Sequence, residues 1–237
     1  MPGKLISGLD LGKVADFSAL ATLERHKLEK PVAKRRFRYT LRWLETWDLG
    51  TRYTSVAGGK SIIGDVRKRF DSPALKWTPL AVDMTGVGNA VVDIIRAARV
   101  PARITPIVIT SGHAITIDKT TGETHVPKKE LVSTLLVLLE ASLVKWTSPK
   151  ERGALPLISR FEKELADFRT HVTRSRNETF GADSSQHDDL VLAVALAAWL
   201  GEHTGGGDPS GIGLPDSKDL HCLANAPEGV LASGNHL

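Results

Sequence analysis

Leu190 to Leu200 is an unbroken apolar run, LVLAVALAAWL. Read as a helix, it is apolar on almost every face, so other parts of the chain must surround it. It is shorter than the ~20 residues a membrane helix needs. The 237-residue chain, 41% hydrophobic, has ample material for such a core. His187, Asp188 and Asp189 stand directly ahead of the run. Two carboxylates therefore guard the entrance to a buried helix.

A second acid occupies an equally apolar setting near the N-terminus, in Leu5-Ile6-Ser7-Gly8-Leu9-Asp10-Leu11-Gly12. Gly12 lets the chain turn, and Ser18 to Leu23 is a β-prone run that heads back, so the pattern is a hairpin. A third acid, Asp83, ends the short apolar strand Leu80-Ala81-Val82 and precedes the tight loop Thr85-Gly86-Val87-Gly88. A carboxylate on a buried strand is costly unless it is paired or binds a cation. Each acid taken alone has a plain reading: a hairpin cap at Asp10, a turn cap at Asp83, and a helix N-cap at Asp188-Asp189. Together, at two strand ends and one helix start, they point to metal binding. Oxygen ligands suit Mg²⁺ or Mn²⁺, and a two-metal site can activate water and stabilise a leaving oxygen in phosphodiester cleavage.

The pattern along the chain is that of an α/β fold. Lys4 to Leu9, Ser18 to Arg25 and Phe37 to Asp48 read as an antiparallel meander, with a basic loop at 27–36. Tyr53 to Phe70 has helical spacing and is stopped by Pro73. Strand 80–83, helix 89–99 and strand 104–110 alternate, which predicts parallel pairing. Ile115 to Val126 reads as an extra β-hairpin excursion with a polar tip. Pro127 opens a helix carrying Leu131, Leu135, Leu138, Leu139 and Leu143. Leu155 to Phe168 is a further amphipathic helix, and 177–186 is a polar loop. From Gly201 onward, Gly, Pro, Ser and Asp replace periodicity, so the expectation is one domain over 1–203 and a disordered tail over 204–237.

Charge permits nucleic acid as a partner without demanding it: Lys+Arg 31 against Asp+Glu 27 gives +4 and a pI near 9.2. The basic residues cluster, at Lys34-Arg35-Arg36 with Arg38 and Arg42, and again at Arg67-Lys68-Arg69 and Lys128-Lys129. Another group is Arg169, Arg174 and Arg176. The single cysteine, Cys222, excludes an internal disulfide framework and a Cys-based zinc site. No apolar signal core opens the chain, so the expectation is a soluble, cytoplasmic protein with no membrane association.

In this order, Gly8-Leu9-Asp10-Leu11-Gly12, Val82-Asp83-Met84-Thr85-Gly86-Val87-Gly88 and His187-Asp188-Asp189-Leu190-Val191-Leu192-Ala193 resemble the nuclease domain of tailed-bacteriophage large terminase subunits. The resemblance covers roughly residues 4–201 and extends to the helix start Val126-Pro127-Lys128-Lys129-Glu130-Leu131. It implies an RNase H-like (RuvC-like) fold, a mixed five-stranded sheet flanked by helices. It also implies a metal-dependent endonuclease that cuts concatemeric double-stranded DNA during genome packaging. On that basis Asp10, Asp83 and Asp189 would bind the metals, with Asp188 as a ligand or supporting partner. Asp16 and His187 are secondary candidates. Arg67, Lys68, Arg69, Lys128, Lys129, Arg169, Arg174 and Arg176 would contact DNA. An ATPase motor, a portal and a small terminase subunit are the implied partners, in host cytoplasm if the chain is phage-encoded.

The chain departs from the family in having no room for the ATPase motor. Thr54 to Ser61 superficially suggests a phosphate loop, but Thr54 stands where the pattern needs its first glycine. That stretch also fits inside the helix expected over 53–70. The chain therefore reads as a nuclease domain alone, excised or separately made. A Holliday-junction resolvase or transposase-like enzyme on the same fold, a sugar-kinase or actin-like ATPase, and a catalytically idle DNA or portal docking domain remain open alternatives.

Overall fold

The computed structural model describes residues 3–12, 17–54, 59–86, 89–153, 155–174 and 188–204, apart from the side chains of 89 and 169–174. Asp16, Arg176, His187, the 177–186 loop and the 205–237 tail lie outside them.

The chain opens with a meander: β1 (Lys4–Asp10), β2 (Ser18–Val32) and β3 (Arg35–Trp47). Then come α1 (Ile62–Phe70), β4 (Pro79–Asp83), α2 (Asn89–Ala97) and β5 (Arg103–Thr110). The remainder is β6 (Thr116–Ile117), β7 (Thr124–Pro127), α3 (Lys128–Glu140), β8 (Val144–Lys145), α4 (Ile158–Arg174) and α5 (Asp189–His203). Among the described residues the strands form one 8-stranded sheet in the order β6-β7-β5-β4-β1-β2-β3-β8. Its centre, β5-β4-β1-β2-β3, is the expected five-stranded arrangement, with β1 antiparallel to β2 and parallel to β4.

Period-two alternation splits the sheet into two buried faces. Ile6, Ala21, Leu23, Tyr39, Ala81, Ile107 and Val126 look toward α3, α4 and α5. Leu9, Leu20, Trp47, Leu80 and Val82 look toward α1 and α2. The apolar helix α5 lies across the first face, and Leu190, Val191, Val194, Leu196 and Leu200 are fully buried there. Each such side chain contributes roughly 1.5–3 kcal/mol of burial.

Two glycines let α5 lie this close. A Cβ on Gly8 would overlap the Ala193 carbonyl oxygen and come within 2.7 Å of the Ala197 nitrogen, and one on Gly201 would meet the Tyr39 ring at 2.7 Å. At its C-terminal end, Arg25 donates to the carbonyls of Gly201 and Thr204, and Tyr39 Oη donates to Glu202 at 2.7 Å. Arg25 pairs with Lys4 at the start of β1. Helix α5 therefore runs antiparallel to β1 and brings its N-terminus to the end of β1 that carries Asp10.

Two expectations need correction, and one strand was not foreseen. The hairpin at 115–126 is no free excursion, because β7 pairs in parallel with β5 and β6 adds antiparallel to β7, so the hairpin widens the sheet. The first helix begins at Ile62 and not at Tyr53: Ser61 caps it, its hydroxyl accepting from the Gly64 N–H at 3.2 Å. Residues 53, 54 and 59–61 are accordingly not helical, and Val56 lies outside the described residues. The short parallel strand β8, beside β3 at Tyr39 and Thr40, has too few residues to leave a period. Among the described residues no helix is long and apolar enough to cross a membrane.

Candidate active site

Register brings the first two acids together. Strands β1 and β4 pair as Ser7↔Leu80, Gly8↔Ala81 and Leu9↔Val82. One further step sets Asp10 beside Asp83, on backbones about 4.8 Å apart. Alternation turns both toward the α5 face, since Leu9 and Val82 belong to the opposite core. Both are buried, at 7% exposure each. On the next strand, Ile107 is the register partner of Asp83. Asp83 Oδ1 also accepts the Thr85 N–H at 2.8 Å and shapes the turn that follows, so the turn-cap reading holds for one of its oxygens.

Helix α5 delivers the third acid to the same end of the sheet. Asp189, its first residue, is 5% exposed, whereas Asp188 at the N-cap is half-buried and makes no side-chain capping bond. Asp189 is thus the inward acid of the pair. Asp188 Oδ2 lies 3.9 Å from Lys128 Nζ at the start of α3. The guanidinium of Arg160 is 3.7 Å from Asp189 Oδ2 and sits over the Phe17 ring at 4.8 Å. Phe17 directly precedes β2, whose Ala19 pairs with Asp10. Arg160 therefore spans from α5 to the loop that follows Asp10.

Four residues at this end were not singled out from sequence. Glu164 is buried on α4, accepts the Leu190 N–H at 3.0 Å, and receives Arg160 Nε at 2.7 Å. Burial pushes its carboxyl above the ordinary carboxylate range, against the pull of Arg160 and the Leu190 N–H. Tyr53 donates to the Gly12 carbonyl at 2.7 Å, and burial followed by the nearby charge of Asp10 raises its phenol. Arg160 and Phe17 complete the set. An Arg-Glu pair four residues apart is what any solvated helix face shows, so only the packing of α4 against α5 distinguishes this one.

The basic candidates are placed unequally. Lys128 and Lys129 are exposed at the start of α3, and Lys128 reaches the acidic end through Asp188. Arg67, Lys68 and Arg69 lie on α1, on the other face of the sheet. There Arg69 Nε bonds Glu45 at 2.8 Å and the guanidinium stacks on Trp43 at 3.9 Å. Arg169 and Arg174 are on α4, with side chains outside the described residues. Among the described residues no three His, Cys, Asp or Glu side chains converge closely enough to hold one ion. The donor chemistry, carboxylate oxygens alone, nevertheless suits a hard divalent cation.

No protein-family model matches the sequence, and no curated protein matches it. Solved structures do match. The human cytomegalovirus terminase nuclease domain, Mn-soaked and inhibitor-bound, aligns with TM-score 0.51 at 14% identity, over 84% of this chain and 83% of that one. The large terminase nuclease from the thermophilic phage G20c aligns with TM-score 0.42 at 18% identity, over 82% and 81%. At 14% identity the first likeness concerns backbone architecture, and it spans most of both chains. The sheet of this chain, with α5 laid across β1, has the RNase H-like fold of a terminase nuclease domain.

Proposed function

We propose that the chain is a divalent-metal-dependent DNA endonuclease of the terminase large-subunit type. The observation that carries this reading is the meeting of Asp10 and Asp83 at the ends of adjacent parallel strands, with Asp189 brought to the same end by a helix that runs back along β1. Buried carboxylates gathered at one end of a sheet are costly when ionised, and cations relieve that cost. A fold shared with a nuclease domain that was soaked with Mn supports Mg²⁺ or Mn²⁺ as the cation.

In this reading Asp10, Asp83 and Asp189 hold the metals, with Asp188 alongside. Bound there, two such ions supply an activated water and stabilise the leaving oxygen of a phosphodiester. The protein's own groups set the stage. Arg160 and Glu164 fix the first turn of α5, Tyr53 ties down the loop after β1, and Lys128 and Lys129 offer the phosphate backbone a cationic rim. Double-stranded DNA is the substrate, and the packaging motor, portal and small terminase subunit are the partners.

The test is nicking of supercoiled plasmid in Mn²⁺ by the wild type, Asp10→Asn and Asp83→Asn. Loss of nicking in both variants, with wild-type circular dichroism, supports the reading. Unchanged nicking in both variants sinks it.

A further inference from the structure

Residues 26–38 form a two-stranded ribbon that projects past the sheet. Pairing of β1 with β2 stops at Lys4↔Arg25, while β2 and β3 continue to Lys27↔Phe37 and, after a register shift, close at Val32↔Arg35. Ala33 and Lys34 close the ribbon with φ of 48° and 63°, the two positive values of a type I′ turn. Six Lys or Arg and one Glu fall in these thirteen residues, a net +5 in a chain whose whole formal charge is +4. The remainder of the chain is therefore close to neutral, and its basic character resides here.

The ribbon is held at its base and beside its turn. At the base Arg25 binds the C-terminal carbonyls of α5 and stacks on Phe37 at 4.3 Å, and next to the turn Arg35 pairs with Glu202 at 3.3 Å. Arg25 and Arg35 are thus structural. Lys27, Lys30, Lys34 and Arg38 are exposed.

We infer that this ribbon is a second DNA-binding element, gripping the phosphate backbone of a duplex away from the acidic end. Its identity as a DNA site, rather than a site for another polyanion, rests on the nuclease reading above. Three observations favour a nucleic acid over an acidic protein. Protein interfaces are built on aromatic and apolar centres with lysine depleted, whereas the exposed charged side chains here are Lys and Arg with the single Glu29, and Val32 is the one large exposed apolar residue of the ribbon. A two-stranded β-ribbon has the width that the major groove of B-DNA admits. Alternate positions on one strand repeat every ~7 Å, which sets Arg36 and Arg38 in a row along β3.

The ribbon points away from Asp10. Six strand steps from Asp10 to Lys4, and four along β3 from Tyr39 (the partner of Arg25) to Arg35, put its tip about 33 Å from the acids. That is roughly one turn of duplex, so a single DNA segment reaches both.

The experiment is fluorescence anisotropy with a labelled duplex of about 30 bp, in chelator so that nothing is cut. The proteins are wild type, the ribbon variant Lys27→Gln/Lys30→Gln/Lys34→Gln/Arg38→Gln, and the control Lys76→Gln/Lys119→Gln/Lys145→Gln/Lys150→Gln, which removes the same charge elsewhere. The ribbon variant is expected to bind about tenfold or more weakly at ~0.1 M salt, with the log K against log salt slope flatter by ~0.9 for each phosphate that is no longer neutralised. The control is expected to stay near wild type. Wild-type affinity and slope in the ribbon variant overturn the proposal, as does an equal weakening in the control. Should the quadruple variant melt early, Lys30→Gln/Lys34→Gln at the turn gives the same reading with a slope change of at most ~2. Binding in chelator is independent of cutting: unchanged nicking by both Asp10→Asn and Asp83→Asn defeats the nuclease reading and leaves the ribbon result standing.

Discussion

The backbone N–H of Leu190 donates to Glu164 Oε2 at 3.0 Å, so a carboxylate from α4 satisfies the first turn of α5 directly beside Asp189. The N-cap residue Asp188 does not do this, having no side-chain capping bond. Removing Glu164 therefore strands a buried donor. Glu164→Ala is expected to cost about 1–3 kcal/mol, while Glu164→Gln, which keeps an acceptor, costs less. Thermal melting ranks the variants. Equal melting of Ala and Gln would show that the bond to Leu190 carries no weight.

Gly8 sets how closely α5 approaches β1. Gly8→Ala places a methyl against the Ala193 carbonyl and the Ala197 nitrogen, both backbone atoms that cannot swing aside. The expected cost is about 1–3 kcal/mol or more, together with slower nicking, because a displaced α5 carries Asp189 away from Asp10. A variant that melts lower but nicks at the wild-type rate would separate the packing role of Gly8 from any role at the site.

A cation bound between the acids stabilises the folded state by mass action, ~2.7 kcal/mol at a hundredfold excess over Kd. Mn²⁺ should raise the melting temperature of the wild type and leave Asp83→Asn unmoved. In chelator Asp83→Asn should melt no lower than wild type, because asparagine keeps an oxygen for the Thr85 N–H and removes a like charge next to Asp10. A Mn²⁺ shift preserved in Asp83→Asn would place the ion elsewhere.

Glu24, at the ribbon base, supplies a pH test. Partial burial pushes its carboxyl up, but the bonds from Arg42 at 2.7 Å and the Gly3 N–H at 3.0 Å outweigh that and hold it below its ordinary range. The folded state then binds fewer protons than the unfolded one. Its contribution is present above the ordinary carboxylate pKa and is lost as pH falls through the lowered one. Glu24→Gln should melt lower than wild type near pH 7, by about 1 kcal/mol or less given solvent screening. The gap should close below about pH 4. A gap that persists unchanged into acid would assign it to packing.

The meander and the β4-α2-β5 alternation are legible because each strand carries its own period and each break its own Gly or Pro. The acids are legible for a related reason: Asp10 and Asp83 adjoin short apolar strands and Asp189 opens an apolar helix, and burial makes a carboxylate in such a setting informative. What surrounds them is not legible. Glu164 and Arg160 sit at ordinary surface spacing, and only tertiary packing buries the carboxylate. Tyr53 reads as part of a helix that in fact starts at Ile62. Helix α4 continues past Phe168 because no Gly or Pro stops it before residue 174. The hairpin at 116–127 is correctly paired with itself in sequence, but its edge alignment with β5 leaves no local trace.

Helix α5 is seated at both ends and the middle: Arg25 and Tyr39 grip its C-terminus, Gly8 receives its centre, and Glu164 holds its first turn. It is thus a gauge block whose length, and not only its composition, is functional. Deleting one residue between Ala193 and Gly201 would rotate one seat relative to the other by about 100°. The chain would then keep either the grip on the ribbon base or the alignment of Asp189, but not both.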